Sequence, residues 1–218
     1  MAAVATVPAR VICMQTNMPA EHYKKPSYDT KERFASYWQQ TQLLQSVRNG
    51  AILNIGSGNG FLRNYMSLRD CQLIDLDIDR TLAPHVCGDV LRLPFREGAF
   101  DAVSCFQVLE HLEFDALAVA LREMKRVSKG LAFISLPDVG LHFRASAHLE
   151  RVIDCSFMLP LHIFKSRLRN HPEHKWEINR KGWPLKKVLK EISATGWSIK
   201  ETFRLFDNPY HRFFRLVF

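Results

Sequence analysis

The segment 51–60, A-I-L-N-I-G-S-G-N-G, runs from an apolar stretch into three glycines at alternate positions. A short unbroken apolar run suits a parallel strand buried on both faces. Gly56, Gly58 and Gly60 accept backbone angles that residues with side chains avoid, so a strand turning directly into a helix here lets the main chain approach a bulky ligand. An ordinary glycine-rich turn with no ligand is the competing reading. The next strand weighs against it, because C-Q-L-I-D-L-D-I-D at 71–79 puts carboxylates roughly 20 positions after the glycines, where a ribose-binding acid is expected. In its alternation Asp77 comes last before the loop, at the carboxyl end of the sheet, whereas Asp75 and Asp79 read as rim or helix-capping residues.

A dinucleotide-binding turn has the spacing G-x-G-x-x-G, with its third glycine at the position that Phe61 occupies here. Gly60 comes one residue early. The G-x-G-x-G turn suits a nucleoside ligand without a pyrophosphate.

Four ordered motifs then agree: L-N-I-G-S-G-N-G at 53–60, L-I-D-L-D at 73–77, C-G-D-V-L-R-L-P-F at 87–95 and F-D-A-V-S-C-F-Q-V-L-E-H-L at 100–112. Together they resemble the class I S-adenosylmethionine-dependent methyltransferases, in the branch acting on small molecules, over residues 51–136. The resemblance implies an α/β fold: a Rossmann-like, mostly parallel sheet with helices on both faces and a C-terminal antiparallel hairpin. It implies that Gly56, Ser57 and Gly58 line the methionine part of the cofactor and that Asp77 accepts hydrogen bonds from the ribose. Asp89 and Val90 would meet the adenine, Phe106 and Gln107 would lie along the methionine moiety, and Gly60 and Ile78 complete the cofactor-binding set. Asn54 stands where this family usually carries an acid, so it keeps hydrogen-bonding capacity without the charge.

The chain of 218 residues, 47% hydrophobic, is long enough for one domain with its own core. We read 1–28 as a flexible tail and 29–218 as a single methyltransferase domain. The five cysteines include no C-x-x-C pair, which argues against a disulfide framework and favours a reducing compartment, the cytoplasm. No secretory signal or membrane span is read from the sequence. Residues 29–49 predict a helix with Phe34, Trp38, Leu43, Leu44 and Val47 as its apolar face, lying over the cofactor mouth. Further strands are predicted at 51–55, 72–75, 85–88, 102–105 and 131–136, and helices at 60–67, 114–127 and 185–194. A final pair of strands at 197–206 and 211–218 flanks the turn D-N-P-Y.

The stretch 137–184 reads as a substrate-region insertion. Its apolar part, 149–164, admits three readings: a lid over the substrate, a satellite core, or a membrane-surface contact. From 165 to 190 the chain carries nine Lys or Arg residues against Glu173 and Glu177, within a net charge of +8, which favours an anionic partner or a merely solvated basic face. In H-P-E-H-K-W-E, His171 and His174 with Glu177 resemble an acid–base or metal cluster, with Pro172 in a first helical turn. No third strong ligand is adjacent, so no metal is expected. His174, Glu177 and His111 are the candidate catalytic groups. These features point to methyl transfer onto a small, anionic or hydroxylated acceptor, with O-methylation narrowly preferred. An RNA methyltransferase using the basic stretch and a non-catalytic S-adenosylmethionine-binding module are the alternatives.

Overall fold

Apolar strands buried on both faces need a helical layer on each side, and the chain supplies both. The computed structural model describes residues 20–47, 49–69, 71–161 and 171–218. Strands β1 (Ala51–Ile55), β2 (Gln72–Asp77), β3 (Val86–Cys87), β4 (Ala102–Phe106) and β5 (Leu131–Pro137) pair in parallel in the order β3-β2-β1-β4-β5. The last strands, β8 (Ser198–Arg204) and β9 (His211–Val217), form an antiparallel hairpin, and β9 docks antiparallel on β5. The expected topology is therefore present.

Helix α3 (Leu117–Val127) buries Leu117, Ala120, Leu121, Met124 and Val127, one stripe of a 3.6-residue repeat. With α4 (Leu185–Ala194), it packs on one face of the sheet in the larger apolar cluster, which includes Leu53, Ile134 and Trp197. The Trp197 indole N–H donates to the Leu121 carbonyl at 3.0 Å. Helices α1 (Lys31–Gln45) and α2 (Phe61–Met66) cover the opposite face around Leu44, Ile52, Met66 and Phe133.

The buried stripe of α1 differs from the expected one. Ser36, Tyr37, Gln40, Thr41 and Leu44 face inward, while Phe34 and Trp38 are exposed. The stripe is largely polar because part of it borders a cavity rather than the core. Of the residues read as a flexible tail, 20–28 are ordered: Ala20–Lys24 is a 3-10 helix, and Tyr23 and Tyr28 meet edge to face at 5.1 Å. The Arg33 guanidinium lies 3.8 Å from the Tyr28 ring centre, so aromatic and cation–π contacts hold this segment. The rest of that tail lies outside the described residues.

The insertion contains an antiparallel hairpin, β6 (Leu141–Leu149) and β7 (Ile153–Leu161), that forms its own two-stranded sheet. The 149–164 segment is thus largely strand. Phe143, Leu149, Val152, Ile153, Phe157, Leu159 and Leu161 are exposed, so they form no satellite core among the described residues. At its base Arg144 donates to the Phe206 carbonyl at 2.7 Å, and His142 meets Arg204. Residues 162–170, with Lys165, Arg167 and Arg169 of the basic stretch, lie outside the described residues. Cys71, Cys105 and Cys155 are free thiols. Cys87 is disulfide-bonded. Among the described residues no helix is long and apolar enough to cross a membrane.

Asp138, at the end of β5, is fully buried and ties the hairpin to the main sheet. It accepts from Arg204, from Arg212 Nε at 2.5 Å and from Asn179 Nδ2 at 2.7 Å. Removing one partner of a buried ion pair strands the other charges. We expect Asp138→Ala to lower the unfolding free energy by about 3–5 kcal/mol, measured by urea denaturation; an unchanged midpoint would mean that the arginines find water or other acceptors.

Candidate active site

The glycine turn after β1 has φ values of +92°, +53° and +76° at Gly56, Gly58 and Gly60. A Cβ on Gly56 would lie 2.4 Å from Val108 Cγ2, so a side chain has no room between this turn and the loop after β4. The turn is clamped from below. The Ser57 amide donates to Asp77 Oδ2 at 2.7 Å and the Asp79 amide to Asp77 Oδ1 at 2.9 Å. Burial raises the Asp77 carboxyl above the usual range, and these amide bonds oppose the rise. Asp79 caps the following turn as expected. Asp75, expected at the rim, is fully buried instead: it accepts from Asn54 Nδ2 at 2.8 Å and pairs with Arg63 at 3.2 Å.

A cavity of about 330 Å3 opens above the turn. Asn54, Gly56, Ser57, Gly58, Phe106 and Gln107 form its base. Tyr23, Tyr28, Ser36, Tyr37 and Gln40 come from the N-terminal segment and α1, and Glu110, His111, His171, His174 and Tyr210 from the loops beyond β4, β7 and β8, with His211 opening β9. Ser57 Oγ is buried there with no hydrogen-bond partner. Of the expected cofactor residues, Gly60, Asp77, Ile78, Asp89 and Val90 are not part of this lining. Gly60 caps α2, and Asp77 ends β2. Asp89 accepts from the Leu91 amide at 2.9 Å, and Val90 is buried in the larger apolar cluster.

The candidate catalytic groups converge at one end of the cavity. His174 and Glu177 meet in an irregular segment rather than a helix, so Pro172 opens no helical turn. His174 Nδ1 lies 2.8 Å from Glu177 Oε1, Tyr210 donates to that oxygen at 2.5 Å, and Arg180 Nε donates to Oε2 at 2.5 Å. Burial works to raise the Glu177 pKa, but the bonds from His174, Tyr210 and Arg180, with the arginine charge, bring it to about 2. Glu177 is a permanent anion that orients its neighbours. His111 Nδ1 lies 3.2 Å from the Glu173 carbonyl oxygen, across 62 positions of sequence. Burial, then the neighbouring His174, lower the His111 pKa to about 4, so its ring is neutral near pH 7.

Several groups of the site escaped the sequence reading. Glu110 precedes His111 in Q-V-L-E-H-L and is fully buried. Burial, with the Glu177 charge adding to it, raises its pKa to about 8. Its Oε1 lies 4.0 Å from His174 Nε2, and Oε2 has no partner. Gln107, turned so that its amide nitrogen faces Glu110 Oε1 and His211 Nε2 at 3.3 Å, accepts from Ser135 and Leu136. Tyr210 and His211 sit in and after the turn D-N-P-Y, which reads as a connection only. An acid buried inside an apolar motif was the one signal that pointed toward Glu110.

Residues 53–134 match the family model described as a methyltransferase domain. A curated relative, an uncharacterized protein of Methanocaldococcus jannaschii, is 34% identical over 84 residues, 35% of this chain and 36% of that protein. The match thus spans about a third of the curated relative. Among solved structures, a SAM-dependent methyltransferase of Aquifex aeolicus aligns with a TM-score of 0.59 at 13% identity, covering 92% of this chain and 98% of that one. The 1,6-didemethyltoxoflavin-N1-methyltransferase of Burkholderia thailandensis, solved with S-adenosylhomocysteine and its substrate, aligns at 0.55 and 15% identity over 85% of this chain and 77% of that one. The magnesium protoporphyrin IX methyltransferase of Synechocystis, solved with S-adenosylhomocysteine, aligns at 0.55 and 12% identity over 85% and 82%. Residues 53–134 thus carry the match to a methyltransferase domain, and the likeness to the solved structures shows the fold over most of the chain.

His211 provides a test of how the site is held. Its Nδ1 lies 2.9 Å from Ser36 Oγ, which also accepts from Asn208 at 2.9 Å, joining α1 to β9. Burial, then the charges of Arg33 and His174, lower its pKa from 6.5 to about 3. A depressed folded-state pKa gives stability that is complete above the unfolded value, here 6.5, and is lost as pH falls toward the folded value. We expect stability to fall between pH 6.5 and 5 with a contribution of up to about 1.4 kcal/mol per pH unit from this one group. Urea denaturation of wild type and His211→Gln at several pH values checks it: equal slopes would remove His211 as the source.

Proposed function

We propose that the protein transfers a methyl group from S-adenosylmethionine to a small acceptor that is anionic or hydroxylated, with oxygen narrowly preferred as the nucleophile. The observation that carries this reading is that a turn with no room for a side chain at Gly56 faces, across one cavity, a wall of histidine, tyrosine and glutamate. The residues present fit the cofactor. The unpartnered Ser57 Oγ offers a hydrogen bond to it, and each Asp77 oxygen, holding one amide, keeps a lone pair for a ribose hydroxyl.

In this reading Asn54, Gly56, Ser57, Gly58, Phe106 and Gln107 take the methionine part. Gly60, Asp77, Ile78, Asp89 and Val90 take the nucleoside beyond the cavity lining. S-adenosylmethionine, when bound, supplies a methyl on a cationic sulfur that departs as a neutral thioether. The chain's own work is then alignment of the acceptor and exclusion of water. For a hydroxyl acceptor, a proton must also leave. His174 holds its Nδ1 proton toward Glu177, which leaves Nε2 as an acceptor, and neutral His111 stands beside it with ring centres 5.0 Å apart. We assign 137–184 to the acceptor side because it contributes His171 and His174 to the cavity.

Calorimetric titration with S-adenosylmethionine and S-adenosylhomocysteine, with a nicotinamide dinucleotide as control, tests the reading. We expect saturable binding of the first two only, and a loss of about 1–3 kcal/mol, roughly 5- to 150-fold in affinity, in Asp77→Ala. Unchanged affinity in the variant would remove Asp77 from the site, and no binding by folded wild type would overturn the proposal.

A further inference from the structure

We propose that Glu110, His111 and His174 form a binding site for a divalent first-row transition-metal ion at the acceptor end of the cavity. One potential ligand atom from each residue lies within 4.8 Å of the other two, and all three residues border the cavity. Glu110 is fully buried, and its Oε2 has no hydrogen-bond partner. Leaving a buried carboxyl oxygen without a hydrogen-bond partner is costly, and an ion shared by this carboxyl group, deprotonated on binding, and the two rings would offset that cost.

The imidazoles are held as ligands need to be held. His111 directs Nδ1 at the Glu173 carbonyl and His174 directs Nδ1 at Glu177, which leaves Nε2 of each ring with its lone pair. Such outer hydrogen bonds fix the tautomer and orientation of metal-binding histidines. Glu177 is in turn fixed by Tyr210 and Arg180, and the His171 ring stacks on His174 at 4.0 Å. Two imidazoles and one carboxylate suit zinc and its first-row neighbours, whereas magnesium and calcium favour oxygen ligands throughout. Metal–ligand bonds of about 2.0–2.2 Å put neighbouring donors about 3.3 Å apart, so donors now up to 4.8 Å apart close by as much as about 1.5 Å around the ion. Three protein ligands leave a position open to the cavity. An acceptor oxygen bound there would lose its proton more readily; that consequence rests on the methyl-transfer reading, but the metal site does not.

The full chain, freed of metal by dialysis against a chelator, is titrated with Co2+ and then with Zn2+. We expect one Co2+ per chain, visible d–d absorption without a thiolate charge-transfer band, and displacement by Zn2+. His174→Ala, His111→Ala and Glu110→Gln should each weaken Co2+ binding at least 10-fold, and Glu177→Gln, which touches only the outer bonds, by about 10- to 100-fold. Thermal melting and S-adenosylhomocysteine binding establish that each variant is folded. No saturable Co2+ binding by the wild type, a thiolate band placing the ion on a cysteine, or wild-type Co2+ affinity in all three ligand variants would overturn the site. Co2+ binding as expected without S-adenosylhomocysteine binding would uphold the metal site and remove the methyl-donor reading.

Discussion

A row of buried polar side chains crosses three strands directly beneath the glycine turn, and the geometry of the cavity depends on it. Ser104 on β4 donates to Asn54 on β1 at 2.9 Å, Asn54 donates to Asp75 on β2 at 2.8 Å, and Arg63 of α2 closes the row at 3.2 Å. Each bond has a modest net value of about 1 kcal/mol, but leaving any member unpaired would cost more. The row therefore favours one relative placement of β1, β2, β4 and α2. Asn54 in the usual acidic position has a physical account here. A carboxylate at 54 would face that of Asp75 across a buried gap, whereas an amide supplies the donor that Asp75 needs and the acceptor that Ser104 needs.

The half of the cavity built on the glycine turn was legible because its constraints are local. Gly56, Gly58 and Gly60 announce positive φ, the alternation at 72–77 delivers Asp77 to a strand end, and the buried runs of β1, β4 and β5 read as parallel strands. The misreadings share a cause. The inward stripe of α1 is polar because it faces a cavity, so an apolar periodicity selected Phe34 and Trp38, which are exposed. Asp75 had the alternation of a rim residue but pairs with groups that arrive from two other elements. In 149–164, apolar composition suggested a core, whereas the residues pair along an exposed hairpin.

The opposite wall of the cavity was least legible because its contacts join distant stretches. His111 reaches the Glu173 carbonyl, and Tyr210 reaches Glu177 from 33 positions away. The motif H-P-E-H-K-W-E displays two histidines and an acid, yet Glu110 and His111, which meet it in space, come from the turn after β4. The absence of an adjacent third ligand in sequence gave no information about a third ligand in space.

The two halves of the cavity are built from differently organised stretches of chain. Residues 54–59 and 106–108 sit at the ends of β1 and β4 and in the turns that follow, while the opposite walls come from 22–40, 171–174 and 208–211. Substitutions in those outer stretches can reshape the chamber without disturbing the strand ends that would grip the nucleoside. A lineage of such chains is free to remodel the far wall of the chamber while the glycine turn stays the same, and resemblance confined to 53–134 carries information about the strand-end half alone.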